Sequence, residues 1–348
     1  MLLLERGMAT NSQGLTSAML LTSAISRNHT GIVRLLLDHG FDANAGENGD
    51  STALMHAARQ GNEAIVRMLL DKGAVTGSQN QWGPLYYAVK GGHENITRLL
   101  LEIGDDVNSQ DRYMQTPLIW AAQSGHEGMV RLLLDWGSSI DAVDGQGFSA
   151  LMHALFPGNG QIARLLIERG ADIKIGVPNR TNALGLAAKN GLDEVVQLLV
   201  QCGAPVDKLS ANSWTPLMWF ASTGHESMVK FLIEHGADIS LTTRDGSSVL
   251  ILASREGCEG VVRLLLQHQV QVDFASPKGL TALMSAAMRG HEGVVRLLLE
   301  AGAGHTLKDK SGDTARQLAF LRRHEGIVKI LEEHDLVIRQ KTLPSLST

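Results

Sequence analysis

Features that define several protein classes are scarce in this sequence. Only 2 of the 348 residues are cysteines, which is too few for a disulfide framework and leads us to expect a reducing, intracellular compartment (cytoplasm or nucleus). There is no run of about 18 apolar residues and no basic, hydrophobic leader at the N-terminus. We therefore expect neither a membrane span nor a secretory signal.

A strong excess of positive charge is also lacking. Lysine and arginine total 31 against 36 aspartate and glutamate residues, giving a formal net charge of −5. Because sequence-independent binding to phosphate backbones depends on a basic field, we expect no nucleic-acid partner.

Aromatic residues make up only 4% of the chain, whereas 37 residues are glycine. Hydrophobic residues still make up 44%, which is enough for a packed core. Few aromatics and many glycines are typical of a small helical unit that ends at a glycine and is repeated many times. The composition therefore favours a chain built from internal repeats.

A repeat runs through nearly the whole chain. Its first residue, most often threonine or serine, stands two places before a leucine in most copies and twenty-one places before a glycine that closes the unit. These anchors are separated by 31 residues once and then by 33 residues seven times. They are Thr52, Gly83, Thr116, Ser149, Asn182, Thr215, Ser248, Thr281 and Thr314, with a weaker copy beginning at Met19.

Each unit has the residue order of two short helices. Thr116 is suited to cap the first helix, and Pro117 fits the first helical turn, where no N–H is needed. Gly125 suits the left-handed end of that helix, and residues 129–134 then carry an apolar stripe for a second helix. One such pair cannot bury both of its faces, so successive pairs must stack.

The period and the phrase resemble the ankyrin repeat family. The phrase is best preserved in Thr116-Pro117-Leu118-Ile119-Trp120-Ala121-Ala122 with Gly125-His126, and in Thr215-Pro216-Leu217 with Gly224-His225. The resemblance implies an all-α solenoid of about nine to ten stacked helix-turn-helix units with β-turn or hairpin fingers. It also implies a non-catalytic protein that binds protein partners and that we expect to be monomeric.

The ends of the chain depart from the repeat. We interpret residues 1–13 as a partial repeat, residues 14–335 as the repeat array and residues 336–348 as a disordered tail. Residues 2–7 resemble the end of a second helix, so on this register we expect the chain to begin inside a unit. Either the protein starts with a frayed half-unit or the sequence is a piece of a longer protein.

No catalytic, metal or cofactor site is predicted. His93, His126, His225 and His291 all follow the unit glycine, so they repeat one structural position and do not converge as metal ligands would. Residues 158–163 match a dinucleotide-binding pattern but follow a helix where that motif requires a strand. We therefore expect no enzyme activity and no cofactor.

In proteins similar to this one, the hairpin tips and the exposed side of the first helix form a concave, partner-binding groove. On the present register, the tip candidates are Trp82, Arg112, Tyr113, Phe148, Trp214, Arg244 and Lys278. The helix candidates are Phe156, Arg255 and Arg289, accompanied by Lys90, Lys189 and Met288.

Exposed aromatic and arginine side chains are what interface hot spots favour. The alternative is that each tip aromatic packs on the neighbouring tip. Trp120, Trp219 and Tyr87 lie one position deeper, and we expect them in the core. The arginines that recur in the second helices, such as Arg131, are interpreted as a solvated face or as ladder partners of neighbouring acids. A modest basic trend from Arg244 to Arg323 favours an acidic partner segment.

The sequence thus predicts a scaffold, adaptor or inhibitor that binds a protein through its groove. Two alternatives remain open. The chain is the ankyrin segment of a larger regulatory protein, such as an enzyme, a channel or a ubiquitin-ligase adaptor. Or it senses a small molecule or nucleotide through tip aromatics and nearby lysines.

Overall fold

The structure is a computed structural model that describes residues 14–44, 46–47, 51–76, 83–177, 181–210 and 213–342. Its contacts divide the chain into two units, residues 1–175 and 176–348. The described residues of each unit form five helix pairs. In every pair we call the first, odd-numbered helix the A helix and the second the B helix.

The described part of unit 1 contains ten helices and one short two-stranded hairpin. The helices are α1 (Gly14–Ser26), α2 (Thr30–Asp38), α3 (Ala53–Gln60), α4 (Glu63–Asp71), α5 (Pro84–Lys90), α6 (Glu94–Glu102), α7 (Pro117–Ser124), α8 (Glu127–Asp135), α9 (Ala150–Leu155) and α10 (Gly160–Glu168). Strands β1 (Gly46–Glu47) and β2 (Ser51–Thr52) pair antiparallel, with Gly46 opposite Thr52.

Unit 2 repeats this plan. Strands β3 (Gly176–Val177) and β4 (Thr181–Asn182) pair antiparallel. The helices are α11 (Ala183–Lys189), α12 (Asp193–Gln201), α13 (Pro216–Thr223), α14 (Glu226–Glu234), α15 (Val249–Glu256), α16 (Glu259–Gln267), α17 (Ala282–Arg289), α18 (Glu292–Glu300), α19 (Ala315–Leu321) and α20 (Glu325–Thr342). Within each unit every A helix packs on the next A helix along the chain. The predicted stack of helix pairs with hairpin fingers is confirmed within each unit.

The local signals work as the sequence predicts. Thr116 accepts a hydrogen bond at Oγ1 from the N–H of Ile119 (3.3 Å), with Pro117 in the first turn of α7. Gly125 ends that helix with φ of 81°, in the left-handed region that glycine favours. Ala121 and Ala122 are fully buried, because small side chains let the A helices approach closely.

The C-terminal boundary differs from the sequence interpretation. Helix α20 continues to Thr342, so residues 336–342 are helical and the prediction of a disordered tail from residue 336 is wrong for them. The reason is local. The first turns of α20 are anchored by the buried side chains of Ile327, Ile330 and Leu331, and residues 332–343 include no glycine or proline that would end the helix. Residues 343–348, and the partial repeat proposed for residues 1–13, lie outside the described residues.

Candidate functional site

The recurring histidines join consecutive A helices. The Nε2 atom of His126 lies 3.2 Å from the carbonyl oxygen of Lys90, and that of His93 lies 3.2 Å from the carbonyl oxygen of Arg59. A carbonyl only accepts, so the imidazole N–H donates. Unit 2 repeats the contact from His291 to the Arg255 carbonyl, at 3.0 Å. The structural interpretation of these histidines is confirmed, and their bonds align the ends of neighbouring A helices.

At the same repeat position, His225 and Cys258 have different hydrogen-bond or ion-pair partners. His225 places Nδ1 3.4 Å from Oδ1 of Asp193, and Cys258, which replaces the histidine, points its Sγ at the carbonyl of Ser222 (3.9 Å). Burial, and secondarily the charge of Glu256, raise the pKa of the Cys258 thiol. A thiol whose pKa is raised stays protonated and is a poor nucleophile. This agrees with a structural position for Cys258.

Aspartates organise two hairpin tips of unit 1. Oδ1 of Asp111 accepts the backbone N–H of Tyr113 (2.7 Å) and of Gln115 (2.9 Å), while its Oδ2 accepts the indole N–H of Trp120 (3.0 Å). The tip is thereby tied to its own A helix. The carbonyl of Tyr113 also accepts the N–H of Gly145 on the next tip (2.8 Å), so adjacent tips are held together.

Asp144 has the equivalent place in the next repeat. Its Oδ1 accepts the N–H of Gln146 (2.8 Å) and of Phe148 (3.0 Å), and its Oδ2 lies 2.8 Å from Nε2 of His153. Burial alone raises the pKa of Asp144, but the Phe148 N–H, the His153 ring and the Gln146 N–H together outweigh it. The pKa of Asp144 is held below its ordinary value.

An aromatic and basic cluster lies between α5 and α7. The Nζ of Lys90 is 4.8 Å from the centre of the Trp120 ring and 3.1 Å from the hydroxyl of Tyr86. The rings of Tyr86 and Trp120 meet edge to face, with centroids 5.1 Å apart. Trp120 and Tyr87 are half-buried, so the prediction that they belong to the core is wrong. The A helices approach through alanines, which leaves the larger rings at the rim of the interface.

The predicted tip pair Arg112 and Tyr113 is exposed. The guanidinium carbon of Arg112 lies 4.7 Å from the centre of the Tyr113 ring, and 53% of Tyr113 is accessible to solvent. Such stacking orders a large side chain without burying it. We use the name partner surface of unit 1 for this pair, the cluster above and Phe156, which directly follows α9. Its residues are Tyr86, Lys90, Arg112, Tyr113, Trp120 and Phe156.

Phe148 is not an exposed tip residue as predicted. It is only 8% exposed and meets Phe156 edge to face, with ring centroids 5.2 Å apart. Phe156 is 45% exposed, so it is the accessible member of the pair. The backbone bond from Phe148 to Asp144 turns this side chain towards α9. Phe148 therefore packs against Phe156 and is not itself accessible on the partner surface.

The remaining aromatic candidates lie in different places. Trp82 is outside the described residues. Trp214 in unit 2 is half-buried on Trp219, with ring centroids 4.3 Å apart, and Nζ of Lys189 lies 5.9 Å from the Trp219 ring. Trp219 is half-buried as well, which corrects its assignment to the core. Among the described residues, the buried Nε1 of Trp219 finds no hydrogen-bond partner.

Four further basic candidates belong to unit 2. Arg244, Lys278 and Arg289 are exposed, as predicted. Arg255 is half-buried and pairs its Nε with Oε1 of Glu256 at 2.9 Å. These four residues occupy tips or A-helix ends in successive repeats, so the structure places them on one side of unit 2.

The arginines of the B helices face solvent elsewhere. Arg131 pairs with Glu127 one turn earlier on α8 at 2.7 Å, and Arg67 pairs with Glu63 on α4 at 2.8 Å. Both pairs are about half exposed, so they add little stability. The interpretation of this row as a solvated face is confirmed.

Two residues of the partner surface were missed or misplaced by sequence reasoning. Tyr86 was not proposed at all, because its position holds methionine or isoleucine in several neighbouring repeats. Trp120 was assigned to the core. A usable signal existed: Asp111 precedes Trp120 by nine residues, as Asp144 precedes His153, and such a repeated pair indicates a bond between tip and helix.

Comparison with known proteins agrees with the repeat pattern. A family model for ankyrin repeats (3 copies) matches residues 1–80, 24–111, 85–177, 184–276 and 268–342, which together span most of the chain. No curated protein matches the sequence. In the part of the chain that the structure describes, no helix combines the length and the apolar character needed to cross a membrane.

Proposed function

Because this chain belongs to the ankyrin-repeat family, we propose that it is a non-catalytic scaffold, adaptor or inhibitor that binds a protein through its hairpin tips and A-helix ends. Ankyrin repeats are generally protein–protein interaction modules, and the family is typically non-catalytic. The observation that carries the proposal is the partner surface of unit 1, in which scarce aromatic side chains are held ordered and open to solvent.

The aromatic side chains of this surface have the properties of interface anchors. Tyr113 and Phe156 are 53% and 45% exposed although aromatics make up only 4% of the chain. An exposed ring contributes little to folding, but it removes a large apolar area from water when a partner covers it. Tyrosine, tryptophan and arginine dominate measured hot spots.

The same surface is ordered before any partner arrives. Asp111 fixes the tip of Tyr113 and the ring of Trp120, and Lys90 rests on that ring. Side chains that are already held in place lose less conformational entropy on binding, so more of the contact energy appears as affinity. This favours a stable partner site over a surface that is merely exposed.

The proposal is tested with a variant of the partner surface, Lys90→Ala, Tyr113→Ala and Phe156→Ala, compared with a control of similar composition on the B-helix side. The control is Ile103→Ala, Arg131→Ala and Trp136→Ala, all at exposed positions. Both variants must first show wild-type circular dichroism and thermal unfolding. Proteins captured from a cell extract are then compared.

We expect wild type and control to retain the same partner and the surface variant to lose it. A photo-crosslinking residue at position 113 should then form an adduct with that partner, whereas the same residue at position 136 should not. Retention of every captured protein by the surface variant, with crosslinking from position 136 instead, would place the binding site on the B helices and refute the proposal.

A further inference from the structure

Unit 2 carries a row of exposed basic side chains at its hairpin tips and A-helix ends. Arg244 and Lys278 lie at hairpin tips. Lys189 is the last residue of α11, Arg289 is the last residue of α17, and Arg322 directly follows α19. All five side chains are exposed. We call them the basic surface.

Contacts between repeats keep these positions in register. The bond from His291 to the Arg255 carbonyl joins the ends of α15 and α17. At the tips, the carbonyl of Lys278 accepts the N–H of Lys310 from the next hairpin (3.1 Å), and Gly246 packs directly on Pro277. The positive charges therefore project from an ordered frame whose spacing is set by the repeat.

Two acidic side chains next to this row are already engaged. Glu256 pairs with Arg255, and Asp245 accepts a hydrogen bond from the hydroxyl of Thr243. Within the described residues of unit 2, none of the five basic side chains forms an ion pair. Their charge is therefore available to a ligand.

The acids that begin the B helices are held away from this row. The carboxylate of Glu226 packs on Gly260, that of Glu259 on Gly293 and that of Glu292 on Gly326, each one repeat further on. A methyl group at any of these glycines would collide with the carboxylate. The glutamates thus run along the stack of B helices, where each is engaged with the neighbouring repeat.

We propose that the basic surface of unit 2 binds an acidic segment of a partner protein, rich in aspartate and glutamate. This inference rests on the proposed function and names the partner's chemistry for it. Complementary charge steers a partner towards its site and selects against partners of the wrong sign. A peptide is favoured over a nucleic acid because the chain as a whole carries a net charge of −5, which repels a long phosphate backbone.

The test measures fluorescence anisotropy of three labelled probes of equal length: a Glu-Ser repeat peptide, a Lys-Ser repeat peptide and a single-stranded oligodeoxynucleotide. The full chain is titrated into each probe at low salt and again at physiological salt. We expect binding of the Glu-Ser peptide alone, weakening as salt rises because exposed charges are screened over about 10 Å at 0.1 M.

The charge-reversal variant is Arg244→Glu, Lys278→Glu and Arg289→Glu. Its control, Lys230→Glu, Arg263→Glu and Arg296→Glu, makes the same change in net charge at exposed positions on B helices. Replacing three exposed positive charges with negative ones removes attraction and adds repulsion, so the first variant should weaken peptide binding by about tenfold or more. The control should change it far less.

Equal weakening in both variants would show that only net charge matters, and preferred binding of the oligodeoxynucleotide would assign the surface to nucleic acid. Either result overturns the inference, as does failure of the wild type to bind the Glu-Ser peptide. If the partner-surface variant of unit 1 still loses its captured protein in that last case, the partner-binding function stands and only the acidic preference fails.

Discussion

Trp120 donates its indole N–H to Oδ2 of Asp111 across 3.0 Å, and three repeats later the same two positions hold Trp219 and Ser210. One backbone hydrogen bond is the same in both places: the N–H of Asp111 bonds to the carbonyl of Gln115, and that of Ser210 bonds to the carbonyl of Trp214. Serine is too short to reach the indole as the aspartate does, so the buried N–H of Trp219 has no partner among the residues that the structure describes.

The substitution Ser210→Asp should therefore stabilise unit 2. The new carboxylate would accept the indole N–H of Trp219 and the backbone N–H of Trp214, as Asp111 does in its own hairpin. Satisfying a buried donor with a charged acceptor contributes about 1–2 kcal/mol. We expect the melting temperature to rise by roughly 2–4 °C for each kcal/mol.

Calorimetry of Ser210→Asp, Ser210→Ala and Ser210→Asp combined with Trp219→Phe checks this expectation. The alanine variant should show no gain, and the double variant should lose the part of the gain that depends on the indole. An equal gain with phenylalanine at position 219 would show that the carboxylate acts on the backbone alone.

Phe148 and Phe156 should separate stability from binding. Phe148→Ala removes a buried ring and should cost about 3 kcal/mol of unfolding free energy. Phe156→Ala loses one edge-to-face contact at a half-exposed position and should cost about 1 kcal/mol or less. Urea unfolding measures both values, and only Phe156→Ala should reduce capture of a partner while the protein stays folded. Equal costs would make Phe156 a core residue.

Roles that depend on backbone geometry within one repeat could be predicted from the sequence. Helix pairs, caps and closing glycines recur with a fixed period, so Thr116 and Gly125 could be assigned their roles directly, and both are confirmed. These roles depend on backbone geometry within a few residues. The same regularity predicted that His126 is structural, although not that it bonds to the preceding A helix.

Side-chain direction at the tips could not be predicted in this way. Phe148 and Tyr113 both belong to hairpin tips, yet one is buried and the other exposed, because Phe148 directly precedes its anchor and turns towards α9. The half-buried position of Trp120 follows from the small residues between A helices and from its bond to Asp111. Such outcomes depend on the neighbouring repeat, which a single repeat does not specify.

Two tip glycines give a third prediction. Gly279 and Gly312 both have positive φ, 78° and 88°, so alanine at either costs about 1–2 kcal/mol of backbone strain. At Gly279 an added Cβ would lie 2.9 Å from Cα of Asp309 on the next tip, whereas at Gly312 it would meet nothing within 4 Å. Gly279→Ala should therefore be the more destabilising by about 1 kcal/mol or more.

Chemical denaturation of the two glycine variants measures that difference directly. Because the strain at φ is nearly the same, the difference reports the contact between neighbouring tips. Indistinguishable unfolding free energies would mean that the tips of unit 2 separate at little cost, and the ordered frame described for the basic surface would then be wrong.

The last prediction concerns acid stability in unit 1. The pKa of Asp144 is lower in the folded protein than its ordinary value of 3.8, so folding favours the ionised carboxylate. The resulting stabilisation is fully present above the unfolded pKa and is lost as pH falls through the lower, folded pKa. Asp144→Asn should therefore lower the unfolding free energy at neutral pH and show a weaker decline than the wild type as the pH falls below about 4.

Asp71→Asn, at an exposed position on α4, is the matched control for the loss of one carboxylate and should leave the unfolding free energy at neutral pH nearly unchanged. The measurement is urea unfolding at a series of pH values. If Asp144→Asn declined as steeply as the wild type, other carboxylates would govern the acid transition. A smaller loss in Asp144→Asn would instead show that the ionised carboxylate beside His153 stabilises the hairpin tip that precedes α9. Acid would then weaken the part of the partner surface that contains Phe156.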